Sequence, residues 1–176
     1  MKLIKLPILM AAITMLMLGM TACSGDDSSI SVYFTLQDES GVEKSSFKEG
    51  ENIIFRLDIT NHSEEEALLS NLIDMFFNDD IFHVYSSKGE DFGHPFDELW
   101  LPDILGPMRF PPKYTFTTLC PWINNPDSEL PCGQLPYSRF FTEKYRPLPK
   151  GEYYSKFSIR LDKKKTVTCN KSFKIE

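Results

Sequence analysis

Asn52-Ile53-Ile54-Phe55-Arg56-Leu57-Asp58-Ile59-Thr60 is the stretch on which the reading of the fold turns. Ile53, Phe55, Leu57 and Ile59 face one way, and Asn52, Arg56, Asp58 and Thr60 face the other, with Ile54 the single breach of the outward face. Side chains alternate across a strand, so this pattern predicts a strand with one face in a core and one in water, the habit of antiparallel sheets. Upstream, Ile30, Val32, Phe34 and Leu36 alternate with Ser31, Tyr33, Thr35 and Gln37. Downstream, Pro149-Lys150-Gly151-Glu152 turns the chain into a strand with Tyr153, Phe157, Ile159 and Leu161 inward. Lys163 to Lys165 reads as a hairpin turn, and the strand after it sends Val167, Cys169, Phe173 and Ile175 inward, with Lys171 as an intruder. Ile81 to Tyr85 is a short strand ended by Ser86-Ser87-Lys88-Gly89, whereas Ala67 to Phe77 satisfies neither the strand nor the helix period. Short alternating strands, turn signals between them and no amphipathic helix predict an all-β antiparallel sandwich.

The polar segments between the strands supply no catalytic signature. Asn61-His62-Ser63-Glu64-Glu65-Glu66 reads as a solvated turn, because Asn and Ser bond their own backbone and adjacent carboxylates without apolar cover prefer water. Asp79-Asp80 and Asp97-Glu98 are sequence neighbours, which on a strand point to opposite faces. The chain has no G-x-S-x-G, no glycine-rich phosphate loop and no H-E-x-x-H. His62, His83 and His94 lack ligand spacing, and Cys169 falls on an inward strand face where a thiol is inert. The expectation is a non-enzyme with no metal and no cofactor.

The N-terminal residues decide the compartment. Lys2 and Lys5 precede an apolar run from Leu6 to Gly19, the charged-then-apolar order of a secretory signal. The run is short of the roughly 20 residues of a spanning helix. Thr21-Ala22-Cys23 resembles the lipobox of bacterial lipoproteins, with Met20 where Leu is usual. The resemblance implies cleavage after residue 22 and acylation of Cys23, so that the membrane is a partner through the N-terminal lipid. Ser24-Gly25-Asp26-Asp27-Ser28-Ser29 then makes residues 23–29 an acidic flexible tether, similar to the surface-export signal of Bacteroidetes-type lipoproteins. An outer-membrane lipoprotein is implied, on the cell surface or facing the periplasm. Cleavage moves the formal charge from −6 to −8, because Lys2 and Lys5 are lost, and leaves 154 residues, 23–176, which suits the tether and a single domain over 30–176. An acidic domain without a basic stripe disfavours nucleic acid.

Phe47-x-x-Gly50-Glu51-x-Ile53-x-Phe55, Leu57-x-Ile59-Thr60-Asn61-x-Ser63, Phe82-x-Val84-Tyr85-x-x-x-Gly89 and Pro149-x-Gly151-x-Tyr153 together resemble uncharacterised Bacteroidetes lipoproteins with an immunoglobulin-like domain. The last motif is similar to the corner of such domains where a tyrosine hydroxyl ties the loop to the strand. A more distant likeness, on the Leu-x-Ile-x-Asn-x-Ser and Gly-x-Tyr segments, is to the intracellular proteinase-inhibitor family of bacilli.

Residues 92–149 depart from this pattern. They hold eleven of the twelve prolines and both tryptophans, so most of the segment is expected to lie outside the ladders, with only Lys113 to Leu119 reading as a strand. A long irregular insert in a compact domain is functional or disordered, and its aromatic content argues against disorder. Trp100, Tyr114, Trp122 and Tyr137 are the candidate binding residues, for a protein or glycan ligand. With Cys23 carrying lipid, Cys120 and Cys132 bracket a turn-rich segment and are the favoured disulfide pair, worth about 3 kcal/mol, leaving Cys169 reduced. The rival pairing joins Cys169 to one of them. Two functions are expected from different classes: a binding module on the surface, or a proteinase inhibitor.

Overall fold

A computed structural model describes residues 29–69, 81–99, 108–127, 141–143, 145–161 and 166–176. The described residues are all-β. One sheet has the order β1 (Ile30–Gln37), β3 (Ile53–Asn61), β9 (Thr115–Trp122), antiparallel throughout. The second has the order β2 (Ser46–Phe47), β12 (Thr166–Ile175), β11 (Gly151–Arg160), β5 (Val84–Ser86), β6 (Asp91–Gly93), antiparallel except where β2 joins β12 in parallel. Two small ladders complete the set, β4 (Ala67–Leu69) with β8 (Met108–Phe110) and β7 (Phe96–Leu99) with β10 (Phe141–Glu143).

The alternation of the sequence is what closes the two sheets on each other. Ile53, Phe55, Leu57 and Ile59 have no solvent exposure. Across the gap, Phe34 of β1 meets Phe157 of β11 edge-on at 4.9 Å, and Phe55 of β3 meets Phe173 of β12 at 6.5 Å. Phe82 fills the space between, 5.7 Å from Phe34 and 5.6 Å from both Phe55 and Phe157. Burying each such ring contributes about 1.5–3 kcal/mol, and edge-to-face pairing adds about 0.5–1.5. Phe82 reaches this place through a left-handed backbone, φ 61°. That conformation costs a non-glycine residue roughly 1–2 kcal/mol, and it lets the sequence neighbours Ile81 and Phe82 both enter the core while His83 turns outward.

Asparagines seal both ends of β3. At one end Asn61 is buried; its Oδ1 accepts from the Ser63 amide at 3.0 Å and hydroxyl at 2.7 Å, and its Nδ2 donates to the carbonyls of Glu65, Phe110 and Pro111. This is why Asn-x-Ser ends the strand: the side chain replaces the ladder with a turn. At the other end Asn52 Oδ1 accepts from the backbone amides of Asn124 and Asn125 at 2.7 and 2.8 Å, while its Nδ2 donates to Glu39 Oε1 at 2.7 Å and to the Asn125 carbonyl at 3.3 Å. Asn124 in turn donates to the Glu51 carbonyl and accepts from the Leu148 amide, both at 2.7 Å.

The strand content of residues 92–149 exceeds expectation. β7, β8, β9 and β10 fall within it, and β9 runs on through Cys120 and Pro121 to Trp122. Pro121 is tolerated because β9 is an edge of its sheet, where a strand needs only one row of donors. It sits opposite Ile54, which is thereby covered on the outward face that it breached. Of the ambiguous stretch Ala67 to Phe77, residues 67–69 are strand; the remainder lies outside the described residues.

Candidate functional site

The outer face of the second sheet brings polar and aromatic side chains together. Strand alternation puts Glu152, Tyr154, Lys156 and Ser158 of β11 outward, and β12 sets Lys174, Ser172, Asn170 and Thr168 directly opposite them. On the other side of β11, Tyr85 of β5 faces Tyr154 in register, and the two rings stack at 5.4 Å and 23°. Tyr85 also stacks on His83 at 4.5 Å and 10°, His83 leans on His94 at 4.2 Å, and His94 stacks on Phe96 at 5.2 Å. A continuous ring row thus crosses from Phe96 to Tyr154.

The β5–β6 hairpin builds this row. Gly89, at φ +83°, closes the turn by donating to the Ser86 carbonyl at 2.9 Å, and Glu90 N donates to Ser86 Oγ at 3.0 Å. Asp91 then comes back beside Tyr85, where its Oδ1 lies 2.5 Å from His83 Nε2 and accepts from Gly93 N at 2.7 Å. The bond from His83 first, and that from the Gly93 amide second, hold the Asp91 carboxyl below the ordinary carboxylate range. Gly93 is required by its φ of +77° and by Arg146, whose Nη1 would lie 2.6 Å from an added Cβ and which donates to the Phe92 carbonyl. His83 and His94, far apart in the sequence pattern, are therefore neighbours in space. Among the described residues no group of three or more His, Cys, Asp or Glu is placed to hold a metal ion.

Beside Tyr154 the face dips into a shallow groove of about 390 Å³, lined by Ser45, Ser87, Glu152, Tyr153, Tyr154, Ser172, Phe173 and Lys174. Its walls are fixed by backbone: Lys174 N donates to the Ser45 carbonyl at 3.0 Å, and Ser87 N to the Glu152 carbonyl at 2.8 Å. Tyr153, next in the chain, points the opposite way into the core, and its hydroxyl donates to the Pro149 carbonyl at 2.6 Å. Burial, and secondarily the charge of Glu90, push the Tyr153 phenol up from its ordinary value. A second concavity, of about 360 Å³, is lined by Asp38, Glu39, Ser40, Gly50, Glu51, Asn52 and Asn125. Its polar groups serve the protein itself: Asp38 caps the Ser40–Val42 turn, Glu39 takes Asn52, and Glu51 takes Lys44 and the Lys48 amide.

The residues singled out in the insert do not converge. Trp122 is buried, 1% exposed, and its Nε1 donates to the Arg146 carbonyl at 2.6 Å. Its expected place on an exposed binding face is therefore corrected: the indole faces the core opposite Ile53 and ties the end of β9 to the segment entering β11. Tyr114 is exposed, but it precedes β9 at the far end, about 26 Å from Trp122 at strand rise, and it packs edge-on against Phe110 at 6.0 Å. Trp100 and Tyr137 lie outside the described residues, as do Cys23 and the whole of residues 1–28. The expected Cys120–Cys132 bridge is also corrected, since no disulfide is formed at Cys120 among the described residues. The reason is local: Cys120 occupies an inward position of a continuing strand, packed opposite Phe55, rather than the mouth of a loop. Cys132 lies outside the described residues, and Cys169 is buried in the core, also without a disulfide.

Alternation marked Tyr154 as an outward residue only implicitly, and nothing in the sequence paired it with Tyr85 or His83, because that row depends on which strands are neighbours. No family model matches the chain, and neither a curated protein nor a solved structure matches it.

Proposed function

We propose that the chain is a non-catalytic binding module with an immunoglobulin-like fold, held at the outer membrane by a lipidated Cys23 and presenting the outer face of its second sheet to a protein or glycan ligand. The observation that carries this reading is the stacked, half-buried pair of Tyr85 and Tyr154 set beside a groove to which serines, Glu152 and Lys174 contribute. Large rings held rigidly by their neighbours offer contact area at little entropic cost. The immunoglobulin-like assignment draws support from the Tyr153 hydroxyl bond to Pro149, the corner contact of that fold. The lipid anchor rests on Thr21-Ala22-Cys23. A pull-down with the full chain in detergent, against glycans and against surface proteins, tests the binding reading: ligand retained by the wild type and lost with Tyr85→Ala/Tyr154→Ala supports it, and retention unaffected by the double substitution refutes it. Membrane fractionation tests the anchor, which is wrong if Cys23→Ala still sediments with the membrane at unchanged mobility.

A further inference from the structure

We infer that the groove beside Tyr154 is a carbohydrate subsite for a neutral, short saccharide; this rests on the binding-module reading and names its ligand class. Tyr85 covers one face of the Tyr154 ring from the β5 side, so the other face is turned over β12, toward Ser172. Tyr154 has no other ring contact among the described residues. Tyr154 is half-buried and lines the groove, and a ring fixed by stacking on one side is a platform for the apolar C–H face of a sugar. The surrounding groups supply the complementary polar edge. Glu152 lies two residues along the same face and accepts hydroxyl protons; Lys174, directly opposite it, donates; Ser172, Ser87 and Ser45 do both. A carboxylate and an ammonium side by side match the paired hydroxyls of a sugar, each of which is at once donor and acceptor.

Three further observations separate this ligand from its rivals. The ammonium of Lys174 is paired with the Glu176 carboxylate, and the chain is acidic overall, so sulfated or uronic sugars find no surplus of positive charge. β11, which carries Glu152 and Tyr154, is flanked by β12 on one side and β5 on the other, so its backbone groups are committed to ladders and offer no edge for a peptide strand to join. At about 390 Å³ the groove sits at the small end of the roughly 300–1,000 Å³ range of small-molecule sites, which suits a short saccharide.

The test is affinity electrophoresis and calorimetry of the full chain in a detergent without a sugar headgroup, against neutral gluco-, manno- and galacto-oligosaccharides, with sulfated and uronic oligosaccharides alongside. The wild type is expected to bind a neutral member. Tyr154→Ala should weaken that binding about tenfold or more, Tyr154→Phe should keep it within about threefold, and Glu152→Gln should weaken it measurably. Tyr33→Ala, on the outer face of the other sheet, should leave it unchanged, and thermal melts of every variant show that each is folded. Neutral-sugar binding that survives Tyr154→Ala overturns the subsite while leaving the binding module intact. Preference for sulfated or uronic sugars overturns the ligand class. A protein ligand lost with Tyr154→Ala, with no sugar bound, also overturns the class but keeps the face. If neither sugar nor protein is retained, both readings fail.

Discussion

Replacing Asn52 by Ala removes the link between the start of β3 and the segments on either side of it. The side chain is 1% exposed and makes four hydrogen bonds, two of them accepted from the Asn124 and Asn125 amides. Each bond contributes about 1 kcal/mol net, and an amide left buried without a partner costs about 1–3. Counting the 3.3 Å contact as weak, and allowing Glu39 to regain water, the expected loss is about 3–5 kcal/mol. For a domain of this size about 2–4 °C of melting temperature goes with each kcal/mol, so a fall of about 6–20 °C is expected. Urea unfolding followed by tryptophan fluorescence and circular dichroism is the assay, with the midpoint lowered and the slope unchanged. Asn52→Asp sharpens the test, because it keeps the acceptor but places a second carboxyl where Nδ2 stood, 2.7 Å from Glu39 Oε1. Repulsion raises the folded-state affinity of that pair for a proton, so the variant should be less stable than wild type at neutral pH and regain part of the loss as pH falls. A cost below about 1 kcal/mol for Asn52→Ala would refute the reasoning, since it would mean that the buried amides find other partners without rearrangement.

Trp122→Phe should cost about 2–4 kcal/mol by urea titration, from the lost bond to the Arg146 carbonyl and the cavity left in the core, while leaving ligand retention per folded molecule unchanged. Gly93→Ala should destabilise more than Gly89→Ala in thermal melts: both residues have a left-handed backbone, worth about 1–2 kcal/mol, but only at residue 93 does the new methyl displace Arg146. Equal losses would show that Arg146 contributes nothing there. Because the folded-state Asp91 carboxyl is held below its ordinary range, its contribution is present above the unfolded value and lost as pH falls through the folded one, so Asp91→Asn should flatten the acid limb of a stability-against-pH curve. An unchanged acid limb would remove the His83–Asp91 pair from the account.

The strands that carry the core were legible because burial on one face imposes a period of two. Ile53 to Ile59, Tyr153 to Leu161 and Val167 to Ile175 all bury the residues that alternation assigned inward. The Asn61-x-Ser63 turn was legible for a local reason, since the side chain bonds its own backbone. Pro121 was misread because the rule against proline in a ladder is relaxed at a sheet edge, and edge position is a property of the assembled sheet. Trp122 and Cys120 were misread for the same cause: once β9 continues past residue 119, both become core positions. The row from Phe96 to Tyr154 left no trace in the sequence, because its rings come from β11, from β5 and the residues flanking the β5–β6 hairpin, and from the start of β7.

The parallel contact of β2 with β12 sets an order of assembly. Phe47 pairs with Ile175, and the Glu49 and Glu176 amides bond the carbonyls of Glu176 and Phe47 at 3.0 and 2.9 Å. β3 likewise waits for β9 to complete its second side. The β11–β12 hairpin, whose ten pairs close from Arg160 and Thr166 outward, is by contrast local and quick to form. As a chain emerges from its N-terminus, β2 and one flank of β3 therefore stay unpartnered until much later residues arrive. That delay keeps the leading half from locking shut before the trailing half is present to close the sandwich.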